Sequence, residues 1–201
     1  YEEGRGVAKD DKKAFEWYEK SANQGHADAQ FKLGWMYKNG RGVAQNDQQA
    51  VAWYTKAAKQ GHAAAQNNLG WMYESGRGVE QSDQQAVGWY QKAANKGDAY
   101  AQTNLGWMYE SGRGVAQNDQ QAVAWYTKAA KQGHAAAQNN LGWMYESGRG
   151  VEQSDQQAVG WYQKAANKGD AYAQTNLGWM YESGRGVAQN DQQAVAWYTK
   201  A

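Results

Sequence analysis

Hydrophobic residues recur along the chain at the spacing of amphipathic helices, in units of 36 residues. In the unit 62–97, Ala65, Leu69 and Met72 stand at i, i+4 and i+7, which is one face of a helix. A second apolar arc of Ala, Val, Trp and Tyr follows at the same period. The pattern therefore predicts two helices in each unit and little strand. We expect helices near 26–39, 47–60, 62–75 and 83–96 and onward by 36.

The string Gly-Arg-Gly-Val separates the two helices of each unit, at 76–79 in the unit above. Two closely spaced glycines favour a turn, and we expect positive φ at Gly42, Gly78 and Gly114. The valine is predicted to fill the core and the arginine to face water or Glu74. Because the string has neither a preceding strand nor a Gly-Lys-Ser/Thr ending, it predicts a structural turn rather than a phosphate-binding loop.

The second helix of the unit carries start and stop signals. Asp83 is predicted to be its N-cap, because a carboxylate accepts from the N–H groups of the first turn. Gly97 follows Lys92 and Lys96, and late cations before a glycine are typical of a helix C-terminus.

The repeat determines the fold class. Residues 40–129 are identical to residues 112–201, so the unit that recurs unchanged is a pair of slightly different 36-residue repeats. One helix pair cannot bury both of its apolar faces, and stacking the next pair supplies the missing surface. The sequence predicts a single all-α solenoid over 1–201. Its predicted parts are a partial repeat at 1–25, full repeats at 26–61, 62–97, 98–133 and 134–169, and a partial repeat at 170–201.

Composition narrows the classes of function. Without cysteine the chain has no disulfide framework and no thiolate metal site. A net charge of +1 with no basic block argues against nucleic-acid binding, and no apolar run is long enough for a membrane span. Serines have no histidine and carboxylate partner within a repeat, and the carboxylates recur in every unit. We therefore predict no catalytic residue and no cofactor.

Three histidines are the obvious candidates for metal ligands. His26, His62 and His134 follow the terminal glycine of a unit, where Asp98 and Asp170 stand in the alternate units. Aspartate there is a natural N-cap, so the histidines are predicted to lie at helix starts. Since they are 36 or 72 residues apart in different repeats, they are not expected to converge on a metal ion.

The repeated pattern resembles the Sel1-like repeat, a relative of the tetratricopeptide repeat. In one unit it comprises Ala65, Gln66, Leu69, Gly70, Met72, Tyr73, Gly76, Gly78, Val79, Asp83, Ala86, Trp89, Tyr90, Ala93, Ala94 and Gly97. The resemblance implies a right-handed α/α superhelix that acts as an adaptor or scaffold for protein partners. Bacterial relatives are often exported or periplasmic, so the resemblance also favours such a location. Some bacterial relatives carry a disulfide in each repeat, and this chain lacks that feature.

A tryptophan two residues after each Leu of the Leu-Gly-Trp-Met-Tyr string is the main candidate for ligand contact. Helical phase places Trp107 opposite the core face of Leu105, on a stripe that the family's superhelix would turn to its concave side. The alternative is that each tryptophan only packs against the next repeat. The predicted partner-binding residues are Trp35, Asn67, Trp71, Glu74, Tyr100, Thr103, Trp107, Glu110, Asn139, Trp143, Glu146, Tyr172, Thr175, Trp179 and Glu182.

Three hypotheses of function follow. The first is a non-catalytic scaffold that binds a protein or peptide on the concave face. The second is binding of a carbohydrate or peptidoglycan strand by the tryptophan ladder. The third is an idealised or engineered array without a ligand, as the 90-residue duplication allows. Core-type residues at both ends, such as Trp17 and Tyr198, further predict end-to-end stacking of molecules.

Overall fold

The computed structural model describes residues 10–201, and within this range the chain forms eleven α-helices and no strand. The first of the Gly-Arg-Gly-Val strings, at 4–7, and the start of the partial repeat 1–25 lie outside the described residues. The helices are α1 (Asp11–Asn23), α2 (Ala27–Asn39), α3 (Asp47–Lys59), α4 (Ala63–Ser75), α5 (Asp83–Asn95), α6 (Ala99–Ser111), α7 (Asp119–Lys131), α8 (Ala135–Ser147), α9 (Asp155–Ala166), α10 (Ala171–Ser183) and α11 (Asp191–Tyr198).

The predicted helix positions and the 36-residue period are confirmed. We call the even-numbered helices, which carry Leu-Gly-Trp-Met-Tyr, the A helices, and the odd-numbered ones the B helices. Contacts between residues divide the chain into two compact units, 1–98 and 99–201, and each is described by itself. Within each unit, every A helix packs against the B helix that follows it in the chain.

The N-cap of α5 differs from the prediction by one residue. Ser82, not Asp83, is the N-cap of α5, and its hydroxyl accepts from the backbone N–H of Gln85 at 3.3 Å. Asp83 is the first helical residue, where its negative charge still faces the positive end of the helix dipole. The stop at Gly97 is confirmed, because this glycine has φ 91° directly after the C-cap.

Each A–B helix pair is held by a close approach that only glycine permits. A Cβ atom on Gly70 of α4 would lie 2.7 Å from the ring of Tyr90 in α5. Tyr90 is fully buried, and so are Leu69 and Met72 beside this glycine. The Leu-Gly pair of the repeat therefore combines a core side chain with a gap that receives an aromatic ring.

The Gly-Arg-Gly-Val loop, which connects the two helices of a repeat, also contacts the preceding repeat. Gly78 has φ 71°, as predicted, and a Cβ atom there would collide with the backbone of Asp47 at the start of α3. The expectation that Arg77 faces water or Glu74 is wrong. Its Nε and Nη2 donate to the two carboxylate oxygens of Asp47, both over 2.9 Å. The loop is thus a docking element between repeats, in addition to being a turn.

Candidate functional site

Three tryptophans at the same position of α6, α8 and α10 remain partly open to solvent. Trp107, Trp143 and Trp179 are 36%, 37% and 40% exposed. Tyr100 and Tyr172 lie seven residues before Trp107 and Trp179, on the same helix face, and both are well exposed. We call these five residues the tryptophan face. Helical phase predicts exposure of Trp71, Trp107 and Trp143 on the concave side; Trp107 and Trp143 are partly exposed, whereas Trp71 is half-buried.

An arginine covers each indole of the tryptophan face. The guanidinium carbons of Arg113, Arg149 and Arg185 lie 4.8, 4.9 and 4.7 Å from the ring centroids of Trp107, Trp143 and Trp179. These arginines belong to the loops that follow the A helices, so each indole is oriented by its own repeat.

Two of these arginines are themselves fixed by carboxylates of the preceding repeat. Arg149 binds Asp119 and lies 3.7 Å from Glu110, and Arg185 binds Asp155 and lies 3.3 Å from Glu146. The indoles of α8 and α10 therefore rest on a charged network that restricts their motion.

The glutamates of the predicted stripe are occupied by intramolecular bonds. The phenol hydroxyls of Tyr90, Tyr126, Tyr162 and Tyr198 donate to Glu74, Glu110, Glu146 and Glu182 over 2.6–2.7 Å. Burial raises the pKa of the Tyr126 and Tyr162 phenols well above the usual value, and the bond to glutamate raises it further. These carboxylates anchor the B helix, which is a structural role that helical phase alone does not reveal.

Thr103, one of the predicted partner-binding residues, is not open to solvent. It is only 7% exposed, its hydroxyl donates to the Ala99 carbonyl at 2.8 Å, and it lies 2.9 Å from Nδ1 of His134. His134 begins the next A helix and also meets the Tyr100 ring edge-on at 4.6 Å. The equivalent Thr175 is exposed.

In residues 10–98 the corresponding tryptophans are more covered. Trp35 and Trp71 are half-buried. Trp71 has the Lys38 ammonium 3.9 Å from its ring centroid and the Arg77 guanidinium at 5.2 Å. Burial lowers the pKa of Lys38, and the nearby Arg77 lowers it further. The indole of Trp71 is thus mainly a packing element with two cations against it.

One asparagine of the predicted site lies at the junction of two neighbouring A helices. Asn139 of α8 accepts a hydrogen bond from Asn176 of α10 at 3.0 Å, which links the two helices beside the tryptophan face. Asn67 of α4 is half-buried. The side-chain amide of Asn139 therefore helps to hold two A helices together.

The histidines lie at helix starts, as predicted. The Nδ1 atom of His62 accepts from the backbone N–H of Ala65 at 3.1 Å, and Asp170 caps α10 in the same way. His26 and His134 occupy the N-cap position without a side-chain cap bond. Within residues 10–201 no group of three or more potential ligands is arranged for a metal ion. No helix of that range combines the length and apolar character needed to cross a bilayer.

The architecture is that of an all-α solenoid built from 36-residue helix pairs. The family model of the Sel1 repeat matches residues 1–26, 27–62, 63–98, 99–134, 135–170 and 171–201. The chain belongs to the Sel1 repeat family. The matched repeats begin one residue later than those we delimited from the sequence. Proteins of this family generally act as scaffolds for protein interactions, and their fold is typically non-catalytic.

Solved structures of bacterial Sel1 repeat proteins are similar over the whole chain. One is a protective antigen of uropathogenic Escherichia coli that has a Sel1-like repeat (SLR) fold. It is 40% identical, with a TM-score of 0.92, over 100% of this chain and 43% of that protein. The chain thus spans less than half the length of that relative. A Sel1 repeat protein from Oxalobacter formigenes is 35% identical, with a TM-score of 0.92, over 100% of this chain and 80% of that one.

A more distant structure is the immunity protein Pa5087 from Pseudomonas aeruginosa. It is 25% identical, with a TM-score of 0.62, over 92% of this chain and 71% of that protein. A comparison with curated proteins gives no match.

Sequence reasoning missed the residues that orient the indoles. Arg41, Arg77, Arg149 and Arg185 each lie 30 residues after the aspartate that they bind. The signal was present, because an Asp and an Arg recur at this spacing in every repeat. Spacing along the chain does not show that the two side chains meet, because the helices that bring them together dock only in the fold.

Proposed function

We propose that the chain is a non-catalytic scaffold that binds a protein or peptide partner through the tryptophan face. The observation that carries this proposal is the partial exposure of Trp107, Trp143 and Trp179 at one position of three A helices. Aromatic residues with polar neighbours are common energetic centres of protein interfaces. Because arginines hold these indoles in place, binding loses little side-chain entropy.

The positions of the arginines favour a peptide over a carbohydrate. A sugar ring stacks on an open indole face, whereas a guanidinium already lies over each of these rings. The indole edges and N–H groups are better suited to the side chains and carbonyls of a polypeptide. We therefore propose peptide binding, and the test below includes a carbohydrate ligand as the alternative.

The test begins with selection of peptides from a phage-displayed random library on the wild-type chain. The affinity of selected peptides is then measured by fluorescence anisotropy for the double variant Trp143→Ala/Trp179→Ala. We expect a loss of about tenfold or more, since interface aromatics often contribute over 1 kcal/mol each. Trp17→Ala is the control, because this tryptophan is also exposed but belongs to α1, a B helix, and not to the tryptophan face.

Two results would contradict the proposal. One is that no peptide is enriched, or that selected peptides bind the double variant as tightly as the wild type. The other is that a β-1,4-linked N-acetylglucosamine hexamer binds and depends on Trp143 and Trp179, which would favour the carbohydrate hypothesis.

We propose in addition that the chain 1–201 self-associates end to end. Trp17 is 59% exposed, whereas Trp53, its counterpart in the next repeat, is buried against Ala22 and Leu33. Val195 is likewise 63% exposed, whereas the equivalent Val159 is buried. Sedimentation equilibrium should show concentration-dependent association that Trp17→Glu abolishes. A monomer at all concentrations would be contrary to this proposal.

A further inference from the structure

A glycine inside each of α5 and α9 has no explanation in the fold. Gly88 and Gly160 lie in helix interiors, where glycine is less favourable than alanine because it loses more backbone entropy. Neither has positive φ, and a Cβ atom at either position would meet nothing within 4 Å. Ala124 stands at the same position of α7. Neither backbone conformation nor intramolecular packing therefore requires glycine here.

The missing side chain at Gly160 leaves a notch on the outer surface of α9. Its volume is about 260 Å³, and its walls are Gln156, Gln157, Gly160, Trp161 and Lys164. Trp161 is half-buried, whereas Trp125, which follows an alanine, is only 8% exposed. The notch is below the usual size of a pocket for a drug-sized molecule and suits a single side chain.

The charge of the notch is positive. The Lys164 ammonium lies 4.0 Å from the Trp161 ring centroid, and no carboxylate within residues 10–201 forms an ion pair with it. Asp155, the acidic residue of α9, is bound by Arg185. The carboxylate of a partner could therefore pair with Lys164, which no acid of the described chain neutralises. The side-chain amides of Gln156 and Gln157 are hydrogen-bond donors beside it.

The position at Gly88 in α5 has the same glycine, lysine and indole. Lys92 lies 4.0 Å from the ring centroid of Trp89, and this indole is half-buried like that of Trp161. We propose that the notch at Gly160 and the equivalent surface at Gly88 each receive a carboxylate side chain from an acidic segment of a partner protein. The absence of a Cβ atom lets the partner approach the helix backbone, the lysine pairs with the carboxylate, and the indole edge supports its methylene groups.

This surface differs from the tryptophan face in both position and chemistry. It lies on B helices and is cationic, whereas the tryptophan face lies on A helices and its arginines are paired. The two surfaces can therefore be inactivated separately.

The test uses the indole N–H signals of the ¹⁵N-labelled chain, with Trp161 and Trp89 assigned through Trp161→Phe and Trp89→Phe. The probe is a blocked tetraglutamate peptide at low salt, and its neutral control is blocked tetraglutamine. We expect saturable shifts of the Trp161 and Trp89 signals with tetraglutamate only. Added salt should weaken the binding, because it depends on a charge pair.

The glycines provide matched variants. Gly160→Ala should weaken tetraglutamate binding at Trp161 by about tenfold or more while it raises the melting temperature, so unfolding cannot explain the loss. The reverse variant Ala124→Gly should create a new response at Trp125. Equal shifts with tetraglutamine, no shift with tetraglutamate, or unchanged binding in Gly160→Ala would each overturn the proposal. Peptides selected on the tryptophan face should bind Gly160→Ala as they bind the wild type, which keeps the two proposals distinguishable.

Discussion

Arg149 donates from Nε and Nη2 to both carboxylate oxygens of Asp119, over 3.0 and 2.6 Å, and so joins two consecutive repeats. Asp119 raises the pKa of this guanidinium, which is the direction expected for a cation stabilised by an opposite charge. The same pairing links Arg185 to Asp155. A planar fork on a carboxylate fixes orientation as well as distance, so these pairs also set how one repeat docks on the next.

Arg149→Lys should lower the free energy of unfolding by about 1–2 kcal/mol, because lysine keeps the charge but cannot form the bidentate bond. Urea denaturation followed by circular dichroism measures this change. In the double-mutant cycle with Asp119→Asn, the two losses should be less than additive. Strict additivity would show that the pair contributes nothing to stability.

Lys38→Glu should stabilise the chain by about 1 kcal/mol. Lys38 stands where Glu74 and Glu110 stand in later repeats. Within residues 10–201 the buried hydroxyl of Tyr54 consequently has no hydrogen-bond partner. A carboxylate would accept from this hydroxyl, as Glu110 does from Tyr126 at 2.6 Å, and would outweigh the lost contact of Lys38 with an indole.

The control for this prediction is Lys38→Ala, which removes the ammonium without supplying an acceptor. Thermal unfolding should place Lys38→Glu above both the wild type and Lys38→Ala. If Lys38→Ala is equally stable, removal of the lysine is the cause, and the bond to Tyr54 is not.

Lys168→Gln should stabilise the chain by about 0.5–1.5 kcal/mol. In the first full repeat, Gln60 donates both to the Gly25 carbonyl and to the side chain of Gln30. Lys168 occupies the equivalent position and bonds only to a backbone carbonyl, so the buried oxygen of Gln138 has no partner among the described residues. Chemical denaturation measures the gain, and the same substitution should add nothing in a Gln138→Leu background.

Gly142→Ala should destabilise the chain by about 1–3 kcal/mol, because its Cβ atom would lie 2.7 Å from the buried ring of Tyr162. Gly160→Ala is the matched control in the following helix. Its Cβ atom meets nothing within 4 Å, so it should stabilise by about 0.5–1 kcal/mol. Urea midpoints that shift in the same direction for both variants would contradict this account of the two glycines.

Stability should fall as the pH rises above about 10, the usual pKa of tyrosine in an unfolded chain. Burial, together with the bond to Glu182, raises the pKa of Tyr198 to about 12, and burial raises that of Tyr54, Tyr126 and Tyr162 further. The folded chain then retains protons that the unfolded chain releases. This contribution is fully present below pH 10 and is lost as the pH approaches the folded pKa values.

The effect is measured by unfolding at pH 9–11.5 and by absorbance of tyrosinate at 295 nm. The loss approaches about 1.4 kcal/mol per pH unit for each of the fully buried tyrosines, Tyr54, Tyr126 and Tyr162. Tyr198 is 39% exposed and contributes less, because solvent screens its interactions. Tyr126→Phe should reduce the slope. A free energy of unfolding that stays constant from pH 9 to pH 11.5 would be incompatible with buried neutral phenols.

The sequence alone determined the helices, their period and the loop conformation. Hydrophobic spacing and glycine placement are local signals, because helix phase depends on neighbouring residues and positive φ on the residue itself. Leu69 in the core, Gly78 at positive φ and the partial exposure of Trp107 all followed from such signals.

Only the tertiary structure decided which polar side chains of the predicted site are already engaged in contacts within the chain. Thr103 and Glu110 share a helix face with Trp107, yet Thr103 is buried beside His134 and Glu110 accepts from Tyr126. Helical phase predicts the direction in which a side chain points. It does not predict which residue of the neighbouring helix the side chain meets. The unpartnered hydroxyl of Tyr54 likewise depends on a residue sixteen positions earlier in another helix. Such pairings arise when helices dock, and one-dimensional periodicity does not contain them.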